Sequence, residues 1–128
     1  MKQVSIIGAP TDIGAGTRGA SMGPEALRVA HLQSALESQG VEVLDRGNLQ
    51  GPGNPGQPPV DGYRHLPQVT AWNRAVFDAC RSEFAAKRMP ILIGGDHCLA
   101  IGSIAAARGA SLRVPNRPAA APAAPQAP

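Results

Sequence analysis

Aromatic residues are scarce in this sequence, with one Trp, one Tyr and two Phe making up 3% of 128 residues. That excludes an aromatic platform for stacking nucleic-acid bases and calls for an aliphatic, Ala-rich core with Trp72, Phe77, Phe84 and Tyr63 as its few large anchors. Cysteine is nearly absent too. Cys80 and Cys98 are too few and too far apart for a disulfide framework or a C-x-x-C metal pair, which fits a reducing compartment. No apolar run reaches membrane-spanning length, and the one ending at Gly8 is shorter than the core of a signal peptide. A cytoplasmic protein without a membrane partner is expected. Acidic residues run out early: all nine lie at or before Asp96, and no histidine follows His97. The net charge is +3, but the basic residues are scattered, with Arg113 and Arg117 near the C-terminus, so no nucleic-acid partner is expected.

What is present reads as one folded unit, since 128 residues are too few for two cores. Val4–Gly8 is a short apolar run closed by Gly-Ala-Pro, the pattern of a buried strand entering a loop. A glycine-rich stretch follows. Pro24 then stands at a favourable first helical position, and one helix is predicted from there to Gln39, with Gly40 as its stop. Val41–Asp45 alternates and is rich in β-branched residues, a second strand. Residues 51–67, dense in Pro and Gly, read as a loop outside the core. A helix over about 68–87 presents Val69, Trp72, Val76, Cys80 and Phe84 at spacings of three and four. Met89–Ile93 is a third strand, Gly94-Gly95-Asp96-His97 a turn, and Leu99–Ala107 a further helix. This alternation predicts an α/β fold, a partial parallel sheet with flanking helices. The division is a domain over 1–108 and an Ala/Pro-rich tail over 109–128, which is expected to be disordered.

Gly94-Gly95-Asp96-His97 lies at the carboxyl end of a predicted parallel strand, where α/β folds place their ligands. His97 is then a candidate metal ligand, with Asp96 beside it to orient it or to share the cation. The plainer alternative is that His97 merely caps the following helix and Asp96 is a turn carboxylate. For an arbitrary G-G-D-H sequence the plainer reading is favoured, and only context decides between them.

That context is a resemblance carried by three ordered motifs. The segment from Pro90 to Ser103, with G-G-D-H at 94–97, resembles the first metal-ligand motif of the manganese-dependent ureohydrolases. Ile7–Pro10, the glycine-rich Gly14–Gly19 and Met22-Gly23-Pro24-Glu25-Ala26-Leu27-Arg28 are similar to the start of arginases, more than to the R-P-G-x-R-x-G-P form of agmatinases. Asp45-Arg46-Gly47-Asn48 falls where the family has a D-x-G-(D/N) turn. The resemblance covers about 4–106 and implies the start of the arginase fold. The implied activity is hydrolysis of L-arginine to L-ornithine and urea by a hydroxide bridging two Mn²⁺ ions, in homo-oligomeric enzymes. Carried over residue by residue, it makes His97 the one matching metal ligand. The D-A-H-x-D and later D-x-D stretches that supply the other ligands are absent, and no catalytic residue is carried over. The expectation is therefore a truncated or frameshifted fragment, inactive alone. The pattern is lost between Ala106 and Pro115, and reading the other two frames of the gene there would test a frameshift.

His31 and His65 are weak substitutes as ligands, the first at a helix face and the second in the Pro/Gly-rich loop. Cys98 has no base placed beside it and reads as a small buried residue. Two rivals remain. Gly14-Ala15-Gly16-Thr17-Arg18-Gly19 fits G-x-G-x-x-G, with Glu37 near the spacing of a ribose-binding acid, but the pattern starts too far past the strand for a dinucleotide site. Alternatively, an uncovered sheet edge would let a non-enzymatic chain associate with a full-length homologue. The apolar face around Trp72 and Phe84 is expected to be open in such a partial sheet.

Overall fold

A computed structural model describes residues 3–111 of the chain. Three parallel strands, β1 (Gln3–Ala9), β2 (Glu42–Asn48) and β3 (Met89–Gly94), form a sheet in the order β2-β1-β3. β1 is central because it is apolar on both faces: Val4, Ile6, Ile7 and Ala9 are all buried, as a doubly covered parallel strand requires. Ile7 and Ala9 share one core cluster with Trp72, Val76 and Cys80 of α3 (Leu66–Ala85), Ala106 of α4 (Ala100–Ser111) and Leu99 of the 3-10 turn before it. α1 (Gly23–Val29) and α2 (Leu32–Glu37) pack against β3 and β2 respectively.

Several expectations are corrected. The single helix over 24–39 is two helices, broken where His31 adopts a left-handed conformation with φ 61°. No Gly or Pro marks this break, so periodicity ran straight through it. The Pro/Gly-rich segment is not outside the core. Its backbone covers Trp72, whose indole N–H donates to the Pro52 carbonyl at 2.9 Å, and a Cβ on Gly51 would lie 2.4 Å from the indole ring. Trp72 is thus only 4% exposed and Phe84 is partly buried against the same cluster, so the open apolar surface lies elsewhere. Exposed large apolar side chains include Val29 and Met22 near α1 and, on α4, Ile101 and Ile104, each 67% exposed. α4 also runs on to Ser111, three residues past the point where the sequence changes character. The rest of the predicted tail, 112–128, lies outside the described residues.

Candidate metal-ligand turn at the carboxyl end of the sheet

All three sequence motifs meet at the carboxyl ends of the strands. In β2 the pairing with β1 slips between Ile6 and Gly8, because Asp45 pairs with Ile6 and Asn48 with Gly8. One extra residue is therefore inserted, and Gly47 absorbs it with φ 73°. Residues three apart on a regular strand point to opposite faces; the bulge brings Asp45 and Asn48 back to the same one. Both then bind Arg28 of α1. The guanidinium donates to the two Asp45 carboxylate oxygens at 2.8 and 2.9 Å and to Asn48 Oδ1 at 2.6 Å. The arginine of the 22–28 motif is thereby locked to the D-R-G-N motif. That bidentate bond holds the Asp45 carboxyl below the usual carboxylate range, since it outweighs the cost of burial. Gly8 must be glycine because a Cβ there would run into the Asn48 side chain.

The G-G-D-H turn is built by Asp96. Its backbone N–H donates to the Thr11 carbonyl at 3.0 Å. One carboxylate oxygen accepts from the Cys98 N–H at 2.8 Å, capping the short 3-10 turn His97–Leu99, and the other accepts from the Gly14 N–H at 2.8 Å. Gly95 is held at φ 25°, and a Cβ on it would lie 2.5 Å from the Ala9 carbonyl oxygen. With both oxygens occupied by backbone donors, Asp96 is the turn carboxylate of the plainer reading. His97 itself is exposed, on the rim of an open hollow of about 620 Å³ lined also by Ile101, Ile104 and Arg108.

The other candidates separate clearly. His65 is buried, and both of its ring nitrogens are engaged by backbone, Nδ1 with the Ile13 carbonyl at 2.8 Å and Nε2 with Gln57 at 3.0–3.1 Å. His31 is exposed on the opposite layer, at the α1/α2 break. Cys98 is half-buried, not fully buried. Burial and then the Asp96 carboxylate push its thiol up to about 12, so it stays protonated and is no nucleophile at neutral pH. Gly14–Gly19 is a loop that leads through a 3-10 turn, Ala20–Met22, into α1, and Glu37 is bonded to Gln33 on α2.

Sequence reasoning missed two groups. Asp12 lines a cleft of about 350 Å³ between the two loops, and a hydrogen bond from Asn54, with help from Gly19 and Arg18, lowers its carboxyl from the ordinary value. At the far end of the sheet, Glu83 of α3 is only 5% exposed. It accepts from Arg88 Nε at 2.6 Å, Ser5 Oγ at 2.5 Å and Arg46 Nε at 2.9 Å. Burial alone would raise its carboxyl, but these three donors prevail and hold it at about 2. Each partner comes from a different part of the chain, so no local pattern announces the cluster.

With that geometry in view, the comparisons with known proteins agree. The family model described as "Arginase: Arginase family" matches residues 2–117. The chain belongs to the arginase family. An arginase of Brevibacillus brevis is 35% identical over 104 residues, covering 81% of this chain and 35% of its own length. An arginase of Bacillus subtilis is 37% identical over 105 residues, again 81% and 35%. Among solved structures, the arginase of Bacillus caldovelox superposes with a TM-score of 0.74 at 35% identity, covering 83% of this chain and 36% of that one. The Entamoeba histolytica arginase, solved in complex with L-ornithine, gives 0.74 at 28% identity, covering 86% and 38%. The chain thus spans 32–36% of the length of these and the other curated arginases it resembles. The family match runs past Ala106, where the pattern was read as breaking, and takes in Leu112–Val114. Among the described residues no group of three His, Cys, Asp or Glu side chains comes together that could hold a metal ion. No helix among them is long and apolar enough to cross a membrane.

Proposed function

We propose that this arginase-family segment serves the hydrolysis of L-arginine to L-ornithine and urea, and that His97 is its contribution to a manganese centre. The observation that supports this most is the position of His97. It stands exposed at the carboxyl end of β3, on a turn held by hydrogen bonds of Asp96 with the backbone of Thr11, Gly14 and Cys98. When bound, such a metal pair supplies a water acidic enough to attack a guanidinium carbon. The residues present do not complete that centre. A catalytic divalent site takes about three protein ligands, whereas Asp96 has both oxygens committed to backbone N–H groups. His65 is committed to Ile13 and Gln57, and no acid follows Asp96. We therefore propose that the 128-residue chain alone neither binds two Mn²⁺ ions tightly nor releases urea. Calorimetric titration with Mn²⁺ and a urea assay on the purified chain test this; tight two-ion binding or turnover overturns it. A cytoplasmic location belongs to the same proposal and is supported by two unpaired cysteines.

A second reading is favoured by α4. Ile101 and Ile104 are exposed on α4, and the outer edge of β3 is unpaired among the described residues. In this reading the chain associates with an intact homologue without catalysing anything. Stoichiometric co-purification with a full-length arginase supports it, and self-aggregation alone refutes it.

A further inference from the structure

His65 ties together segments that the proposed reaction needs in one place. It is the residue preceding α3, held at φ 49°, a left-handed conformation that few residues other than glycine and asparagine adopt readily. The residue is 8% exposed, and its ring lies between two loops. On one side Nε2 meets the backbone of Gln57, and on the other Nδ1 donates to the Ile13 carbonyl. Nε2 lies within bonding distance of both the N–H and the C=O of Gln57; with the proton on Nδ1, it accepts from the N–H at 3.1 Å. Ile13 is fully buried, and its N–H is bonded to the Thr11 hydroxyl. The next residue, Gly14, donates its N–H to Asp96, and Asp96 caps the turn that carries His97. An unbroken path therefore runs from the Pro/Gly-rich loop through His65, Ile13–Gly14 and Asp96 to His97.

We propose that His65 is a positioning residue for His97, acting through the Ile13–Gly14 peptide and the Asp96 carboxylate and never touching the metal or substrate. The physical argument is the place of the bond. The loop around Gly14 is held by the buried Ile13 side chain, by the Ile13 N–H on the Thr11 hydroxyl and by the Ala15 N–H on the Asp12 carbonyl, while the carbonyl of the Ile13–Gly14 peptide, whose N–H binds Asp96, is held by His65. A buried imidazole engaged at both nitrogens thus fixes the orientation of that peptide. The proposal rests on the reading of His97 as a metal ligand for its purpose, but the coupling itself does not require a metal.

Amide hydrogen exchange on the full chain, without Mn²⁺, tests the coupling separately from that reading. In His65→Ala the amides of Gly14 and Cys98 should exchange at least about tenfold faster, while those of Val4 and Val43 at the opposite end of the sheet stay unchanged. His65→Asn is the rescue. Asparagine tolerates the left-handed backbone, and its amide nitrogen stands in for Nδ1, so protection of Gly14 and Cys98 should return while Gln57 stays unprotected. Asp96→Ala, which removes both acceptor oxygens, should release Gly14 and Cys98 but leave Gln57 protected. Unchanged exchange at Gly14 and Cys98 in His65→Ala overturns the proposal. So does uniform acceleration of every amide, or failure of His65→Asn to restore a difference from His65→Ala in a folded chain. If the coupling holds but Mn²⁺ never contacts His97 in an assembled enzyme, the metal reading fails and the positioning path stands.

Discussion

The two ends of the sheet handle buried polar groups in opposite ways. At the amino end, Glu83 is neutralised by charge, its carboxylate shared between Arg46 and Arg88 with Ser5 as a third donor. At the carboxyl end the ion pair of Arg28 with Asp45 is only part-buried, and the buried Asp12 and His65, with the half-buried Asp96, are satisfied mainly by backbone groups and by the neutral amide of Asn54. Ion pairs between side chains bind elements together and contribute to global stability. Backbone bonds instead fix the course of loops, and they leave the exposed His97 ring uncommitted for chemistry. A fold that must present a ligand on irregular backbone uses the second kind of contact where precision matters and the first kind where strength does.

The largest effect should come from breaking the amino end. Glu83→Ala leaves two guanidinium groups without their buried partner and should cost about 3–5 kcal/mol in urea unfolding, enough to threaten the fold. Acid should act on the same cluster. Glu83 titrates near 2 in the folded chain against an ordinary 4.5, so its contribution of about 3 kcal/mol is complete above pH 4.5. It should disappear as the pH falls towards 2. Thermal unfolding between pH 7 and pH 2 measures this, with Glu83→Gln as the control that flattens the slope. At the carboxyl end the effects should be smaller and local: Asp96→Asn should lower stability by about 1–2 kcal/mol. His97→Ala should change it by less than about 0.5 kcal/mol, because its exposed ring holds nothing in place. A His97→Ala variant as damaging as Glu83→Ala would erase the contrast between the ends.

How much of this was legible beforehand follows the range of the interactions involved. The strands, the stripe of α3 and the G-G-D-H turn are local patterns, and the structure places each within a few residues of its expected position. The break at His31 was invisible because a non-glycine residue occupies the left-handed conformation there. Glu83 was invisible for a different reason: its partners Ser5 and Arg46 are 78 and 37 residues away in sequence. The Pro/Gly-rich segment read correctly as irregular backbone, but irregular did not mean peripheral, since it seals Trp72 and seats His65. The D-R-G-N motif was recognised by resemblance alone; its reason, a bulge at Gly47 that turns Asp45 and Asn48 to one arginine, needed the strand register.

The most direct test of the account is a chimera in which residues 3–111 replace the corresponding segment of the Bacillus subtilis arginase, which supplies the remaining two-thirds of the fold. The prediction is that the folded chimera hydrolyses arginine in the presence of Mn²⁺ and that His97→Ala lowers this by more than about a hundredfold without loss of fold. A folded chimera with no activity, or one indifferent to His97→Ala, would contradict the assignment of His97.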